Sequence, residues 1–191
     1  MREGGCLNTV VTSKEAILEV CRELIRTQGW SAVNIRTVAS ACGVSVGSIY
    51  NYYQSKAELI SAAVESVWCD IFHFPDGQET FDSISGCIAW IFQCMEDGEK
   101  KYPGFFTLHS ISFVGVETSN GRHLMEQSWK HIKYGLYHVL KHDPQVRPGV
   151  FDETFTEMEF VEIIFSLILS ALLQHKYDAS GIQAMVRRVI Y

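Results

Sequence analysis

Residues 35–58 read IRTVASACGVSVGSIYNYYQSKAE, and the reading of this stretch decides the fold. Two short segments with helical apolar spacing flank Gly43-Val44-Ser45. Asn34 precedes the first and Ser45 the second, each a residue type that accepts an orphan amide at a helix N-terminus. The spacing predicts one helix over about 35–42 and another from just after Ser45 to about Tyr52. That is a helix-turn-helix, with the second helix presented to a DNA major groove. Val38, Ala39, Val44 and Ile49 form its internal contact, and Ala39 must be small where the helices cross. Two helices and a glycine alone fit a plain helical hairpin as well.

Working outward, Thr12-Ser-Lys-Glu15 has the form of a capping box that opens a helix at Thr12. Its apolar stripe is Ile17, Leu18, Cys21, Leu24 and Ile25, and Gly29 stops it. Downstream, Ser55-Lys-Ala-Glu58 opens a helix carrying Leu59, Ile60, Ala63, Val67 and Phe72. After the Pro75-Asp-Gly77 turn, a helix over about 80–97 carries Phe81, Ile84, Ile88, Ile91 and Met95. The charged run at 96–101 and Pro103 are expected to end it. A short helix follows at about 104–112. A longer one at about 120–141 carries Met125, Trp129, Ile132, Leu136 and Val139. The segment 153–176 is apolar nearly all round from Phe160 to Leu173, and a last helix covers about 179–190. No alternating strand pattern occurs, so the expected class is all-α with about nine helices.

Composition agrees with a packed chain. Of 191 residues, 47% are hydrophobic and 20% charged, which excludes disorder and fibrous repeats. No run reaches the 18 or so apolar residues that span a bilayer, and the N-terminus lacks an apolar signal-peptide core. These features and the reduced-thiol reading of the cysteines point to the cytoplasm. The net charge of −6 argues, as an average, against a phosphate binder. Its distribution reverses that argument. Residues 1–68 hold six of the 16 Lys/Arg and six of the 22 Asp/Glu, a balance of zero, so the whole −6 lies beyond them. Between Trp30 and Ala57 stand Arg36 and Lys56 and no acid.

The arrangement of Ala39, Gly43-Val44-Ser45, Gly47, Ile49-Tyr50, Tyr52-Tyr53, Ser55-Lys56 and Glu58-Leu59 resembles the TetR family of bacterial regulators, over about residues 12–62. The resemblance implies a DNA-binding domain at 1–54, a connecting helix at 55–74 and a ligand-sensing and dimerisation domain at 75–191. Val33 and Asn34, Thr37, Cys42 and Tyr53 depart from the residues common in that family, without removing a type of DNA contact.

On this reading Arg36 and Thr37 clamp the backbone. Ser45 caps the recognition helix and reaches phosphate, and Gly47 allows close approach. Val46 meets a thymine methyl, while Ser48 reaches a base edge or phosphate. Tyr50 and Tyr52 bond phosphate or base, and Asn51 helps to read sequence. Lys56 pairs with phosphate beside the amides that open its helix. Ile49 and Tyr53 are expected in the core. The partner is a double-stranded DNA operator.

The resemblance further implies a small-molecule effector whose binding shifts the connecting helix and releases the operator, which makes the chain a repressor. Trp90, Phe105, Phe106, His109, Phe113 and Trp129 are the candidate pocket residues, suited to an apolar or planar ligand; Phe92 is a further aromatic of the same helices, and Glu117 fits a solvated carboxylate better than a partner for a cationic ligand. The last two helices, smoothed by Ser166 and Ser170, are expected to form a homodimer as a four-helix bundle.

Other chemistries are less well supported. No nucleophile elbow, Gly-rich phosphate loop or acid pair occurs, so no enzyme and no cofactor is expected. His138 and His142 have the four-residue spacing of helical metal ligands, but no HExxH or carboxylate cluster accompanies them. Cys87 and Cys94 stand seven apart on one helix, about 10.5 Å along its axis, too far for a disulfide. A thiol-responsive or metal-responsive regulator, or an activator, remains the alternative.

Overall fold

A computed structural model describes residues 12–73, 81–107 and 119–191, with the side chains of 119–128 and 131 left aside. Within these residues the chain is helical, without a strand. The helices are α1 (Lys14–Gln28), α2 (Ile35–Ala41), α3 (Val46–Tyr50), α4 (Lys56–Ile71), α5 (Ile84–Lys101), α6 (Ser119–His142), α7 (Glu157–Leu173) and α8 (Ser180–Val189), with a 3-10 turn at Trp30–Ala32. Residues 105–107 are also helical, and the rest of the short helix expected at 104–112 lies outside the described residues, as does the Pro75-Asp-Gly77 turn. No described helix is long and apolar enough to cross a membrane.

The chain divides into two compact units, Met1–Asp70 and Ile71–Tyr191. In the first, α1 packs on the 3-10 turn and on α2, and α2 packs on α3. The buried residues Ile17, Cys21, Leu24, Ile25, Val38, Ala39, Ile49, Leu59, Ala63 and Val67 form its core. The first helix starts two residues later than expected. Ser13, not Thr12, is its cap, and the Ser13 hydroxyl accepts from the Ala16 amide at 3.1 Å. Gly29, at φ 80°, ends it in a backbone conformation that side-chain-bearing residues resist.

In the second unit α5 packs on α6 and α8, and α6 packs on α7. Here α5 runs from Ile84 to Lys101, not from 80 to 97. Ser83 caps it, which leaves Phe81 outside the helix. The charged run 96–101 continues the helix because its charges pair along it: Lys100 meets Glu96 at 2.8 Å and Asp97 at 3.7 Å. Gly98 is tolerated there for a packing reason, since a Cβ would lie 2.9 Å from Cγ2 of Ile71.

α7 likewise starts at Glu157 rather than 153. Asp152 accepts from the amides of Thr154 (2.7 Å) and Phe155 (3.0 Å), a local turn that competes with helix. Thr156 and Glu159 then form a full capping box. Along α7, Phe160, Val161, Ile164, Phe165, Ile168 and Leu172 face inward, while Ser166 and Ser170 are exposed together with Ile163 (46%) and Leu173 (43%).

The buried carboxylate of Asp143 ties distant segments of this unit together. It accepts from the amides of Ile84 (2.8 Å) and Gln145 (2.9 Å) and from the Tyr191 hydroxyl. Burial, with the Asp143 carboxylate beside it, pushes the Tyr191 phenol up to about 12.

Candidate nucleic-acid interface

The interface is assembled from α2, α3, the turn between them and the start of α4. Asn34 opens α2: its Oδ1 accepts from the Thr37 amide at 3.0 Å and its Nδ2 donates to the Thr37 hydroxyl at 2.8 Å. The Thr37 hydroxyl keeps its own proton for an outside acceptor. The chain leaves α2 through Gly43 at φ 68°, and the Val44 amide returns to the Ala39 carbonyl at 3.0 Å. That reversal needs glycine, and it sets α3 against the small side chain of Ala39.

Ser45 caps α3 by accepting from the Ser48 amide at 3.1 Å, and the two hydroxyls lie 2.9 Å apart. Ile49 is fully buried and anchors the inner face of this short helix. On the outer face Val46 and Tyr50, one turn apart, are 40% and 48% exposed. Gly47 lies exposed between them, and a Cβ there would touch nothing closer than the Ser45 hydroxyl at 3.6 Å. Nothing among the described residues crowds this position.

The cations divide by commitment. Arg22 pairs with Glu19 and also bonds Ser66, and Arg26 pairs with Glu23 at 2.7 Å. Arg36 and Lys56 are exposed and form no ion pair with a described residue. At the start of α4 the amides are partly taken. The Glu58 amide donates to the Ser55 hydroxyl at 3.1 Å, and the Gln54 amide donates to the Glu58 carboxylate at 2.7 Å. The reciprocal bond thus reaches the Gln54 amide rather than the expected Ser55 amide.

Of the other expected contacts, Asn51 is exposed at the C-cap of α3. Tyr52 differs from expectation. Its hydroxyl donates to the Thr12 carbonyl, so it braces the start of α1 and has no proton left for phosphate. Tyr53 is buried, with Lys14 over its ring at 5.7 Å. The brace between Tyr52 and Thr12 has no sequence signal, because it joins side chain to backbone across 40 positions.

Residues 17–63 match the profile of the bacterial regulatory proteins of the tetR family. That segment is a tetR-type N-terminal domain. The matched segment runs from α1 into α4 and contains the whole α2–α3 pair. Among curated relatives, the nucleoid occlusion factor SlmA of Glaesserella parasuis is 24% identical over 109 residues, 55% of this chain and 54% of that protein. An HTH-type transcriptional regulator of Bacillus subtilis, YerO, is 36% identical over 52 residues, 27% of this chain and 18% of that protein. The matches therefore span about half of the first relative and less of the second.

The fold extends further than the sequence likeness. The TetR regulator SCO7222 of Streptomyces coelicolor superposes with a TM-score of 0.59 at 18% identity, covering 93% of this chain and 78% of that one. Reduced NemR of E. coli does so with 0.60 at 16% identity, covering 93% and 97%.

In the second unit the expected pocket residues fall into three groups. Phe105 and Phe106 are buried, stacked edge to face at 5.8 Å, and belong to the core. Trp90, between Phe72 and Phe81, and Trp129, against Phe165, are half-buried. His109 and Phe113 lie outside the described residues. The described cysteines are all unpaired thiols. Burial pushes Cys21 and Cys87 up to about 12 and Cys94 up to about 11, which favours their protonated form.

Proposed function

We propose that the chain is a homodimeric transcriptional repressor that reads a palindromic operator with α3 and its flanks. A small apolar or planar ligand in the Ile71–Tyr191 unit releases it. The observation that carries this reading is Gly47. It is an exposed glycine in the first turn of α3, where a side chain would meet open space within the described residues, and a partner surface that must come close accounts for it. Val46, Ser48, Tyr50 and Asn51 then address base edges. Ser45, Thr37, Arg36 and Lys56 address phosphates. Tyr52 is assigned to bracing instead. The raised thiols disfavour the thiol-responsive alternative.

Dimerisation is supported by the outer face of α7. Ile163, Ser166, Ser170 and Leu173 recur at three- and four-residue intervals, and two small hydroxyl residues between exposed aliphatics suit a closely packed partner helix. Two heads about 34–36 Å apart would enter successive major grooves. The effector must bind the operator-incompetent state more tightly than the competent one, or it would shift nothing. Among the described residues, Trp90 and Trp129 are the assigned pocket residues that retain accessible surface.

Selection of bound DNA from a random pool tests the reading. Enrichment of a palindrome with half-sites one helical turn apart is expected. Tyr50→Ala and Lys56→Ala should each weaken binding to it by about tenfold or more, a loss of 1–3 kcal/mol per contact. No enriched sequence, or unchanged affinity in both variants, would overturn the assignment.

A further inference from the structure

A pair of imidazoles on α6 has no place in the reading above. His138 and His142 are both exposed, and their ring centres lie 4.4 Å apart with an interplanar angle of 34°. Nδ1 of His142 lies 2.8 Å from the backbone carbonyl of His138. A carbonyl can only accept, so Nδ1 of His142 carries the proton and its Nε2 presents a lone pair outward. Histidine ligands of metals are commonly oriented in this way, with one ring N–H tied to a carbonyl and the other nitrogen directed at the ion.

We propose that His138 and His142 form a surface site for a tetragonal divalent metal ion, Cu2+ or Ni2+. The spacing chooses the class of ion. A metal–nitrogen distance near 2.0 Å places the ion about 3.2 Å from each ring centre. Two imidazoles at right angles then have centres about 4.5 Å apart, against about 5.2 Å at the tetrahedral angle. The observed 4.4 Å fits the right angle of a square-planar or octahedral ion. The rings now lie nearly face to face. His142 keeps its bond to the His138 carbonyl, so turning the donor nitrogens to a common point needs rotation of His138 about χ2, a broad and soft torsion for histidine.

The electrostatic surroundings permit a cation. Lys141, the adjacent residue, directs its ammonium to Glu157 at 2.7 Å and over the Tyr137 ring at 5.8 Å, which draws its charge toward α7. No group of three or more His, Cys, Asp or Glu able to hold a metal occurs among the described residues. Two protein nitrogens therefore hold the ion, water completes its shell, and the metal exchanges readily. Imidazole ligation and the stability order of divalent ions favour copper over nickel and both over zinc at such a site.

Titration of the metal-free full-length chain with Cu2+, followed by electron paramagnetic resonance, tests the site. One saturating copper per chain is expected, with hyperfine splitting from two equivalent nitrogens. His138→Ala or His142→Ala should each weaken binding at least about tenfold and reduce the splitting to one nitrogen, as the loss of a ligand requires. His175→Ala should change neither. Both side chains are exposed, so the variants keep the fold, which circular dichroism checks. Absence of stoichiometric binding, or binding that persists unchanged in the double variant, would overturn the proposal by placing copper on another histidine or nowhere. The readout is independent of operator binding, so the two readings fail separately.

Discussion

The two units of this chain use the same helix chemistry over very different distances. In Met1–Asp70 each helix is opened by the residue just before it. Ser13, Asn34, Ser45 and Ser55 accept backbone amides at 3.0–3.1 Å, three positions along the chain. In Ile71–Tyr191 helices are also capped locally, at Ser83 and Thr156, but the polar centre is Asp143, which joins segments 59 and 48 positions away. Residues 1–68 are charge-balanced, and the acidic excess lies beyond them. A part whose geometry is set by neighbours in sequence can repeat across a family with little change. A part held by distant contacts can vary its residues while keeping its helices. The comparisons show this division: the family match ends at residue 63, whereas the structural likeness covers 93% of the chain.

The strongest challenge to that contrast is Asp143→Ala. It strands two backbone amides and a phenol in a buried site, and a loss of about 3 kcal/mol is expected from the second unit. Calorimetry should show an earlier transition for that unit and an unchanged one for the head; a single transition that falls as a whole would break the comparison. Next in size is Ile163→Glu combined with Leu173→Glu, which places charge on the outer face of α7. Sedimentation should then show a monomer whose helix content is unchanged, and a persistent dimer would move the interface elsewhere.

A smaller effect belongs to the head. Ser45→Ala removes the α3 cap, and a stability loss of about 1 kcal/mol is expected by chemical denaturation, with Ser45→Gly milder. Equal losses from both variants would show that the cap is not what holds α3.

The smallest effect is on pH. Bonds from the Thr156 backbone and side chain hold the Glu159 carboxyl below its ordinary 4.5, and the Lys141 ammonium does the same for Glu157. Both carboxylates are stabilised when charged. Their contribution is complete above 4.5 and is lost as pH falls through the lowered folded values. Faster amide exchange at residues 157–160 below that range, relative to the centre of α7, is the expected result.

Much of the head was legible because its rules are local. Asn34, Gly43, Ser45 and Ser55 announce α2, the turn, α3 and α4 by residue type and spacing alone. Even there Thr12 and Ser13 compete as caps, and the choice depends on backbone geometry that sequence does not display. The 3-10 turn at Trp30–Ala32 had no periodic signal because three residues cannot show one. In the second unit, α5 was shifted because Phe81 kept the apolar rhythm while Ser83 determined the start. The charged run at 96–101 read as a turn although its charges pair within a helix. The roles of Asp143 and of Tyr52 depend on partners far away in sequence, and no local pattern marks them.

The phenol of Tyr191 meets the Ser85 amide at 3.3 Å across 106 positions. As a ribosome adds residues in order, the head has all its partners before this contact can exist. Closing so long a loop carries an entropic cost that grows with the logarithm of its length and slows non-local pairing. The reading head is thus able to consolidate while the chain is still being made. The Asp143 centre forms only after Tyr191 emerges, which places the half-folded second unit, with the aliphatic face of α7 uncovered, as the stage at which newly made chains are most open to aggregation or to chaperone capture.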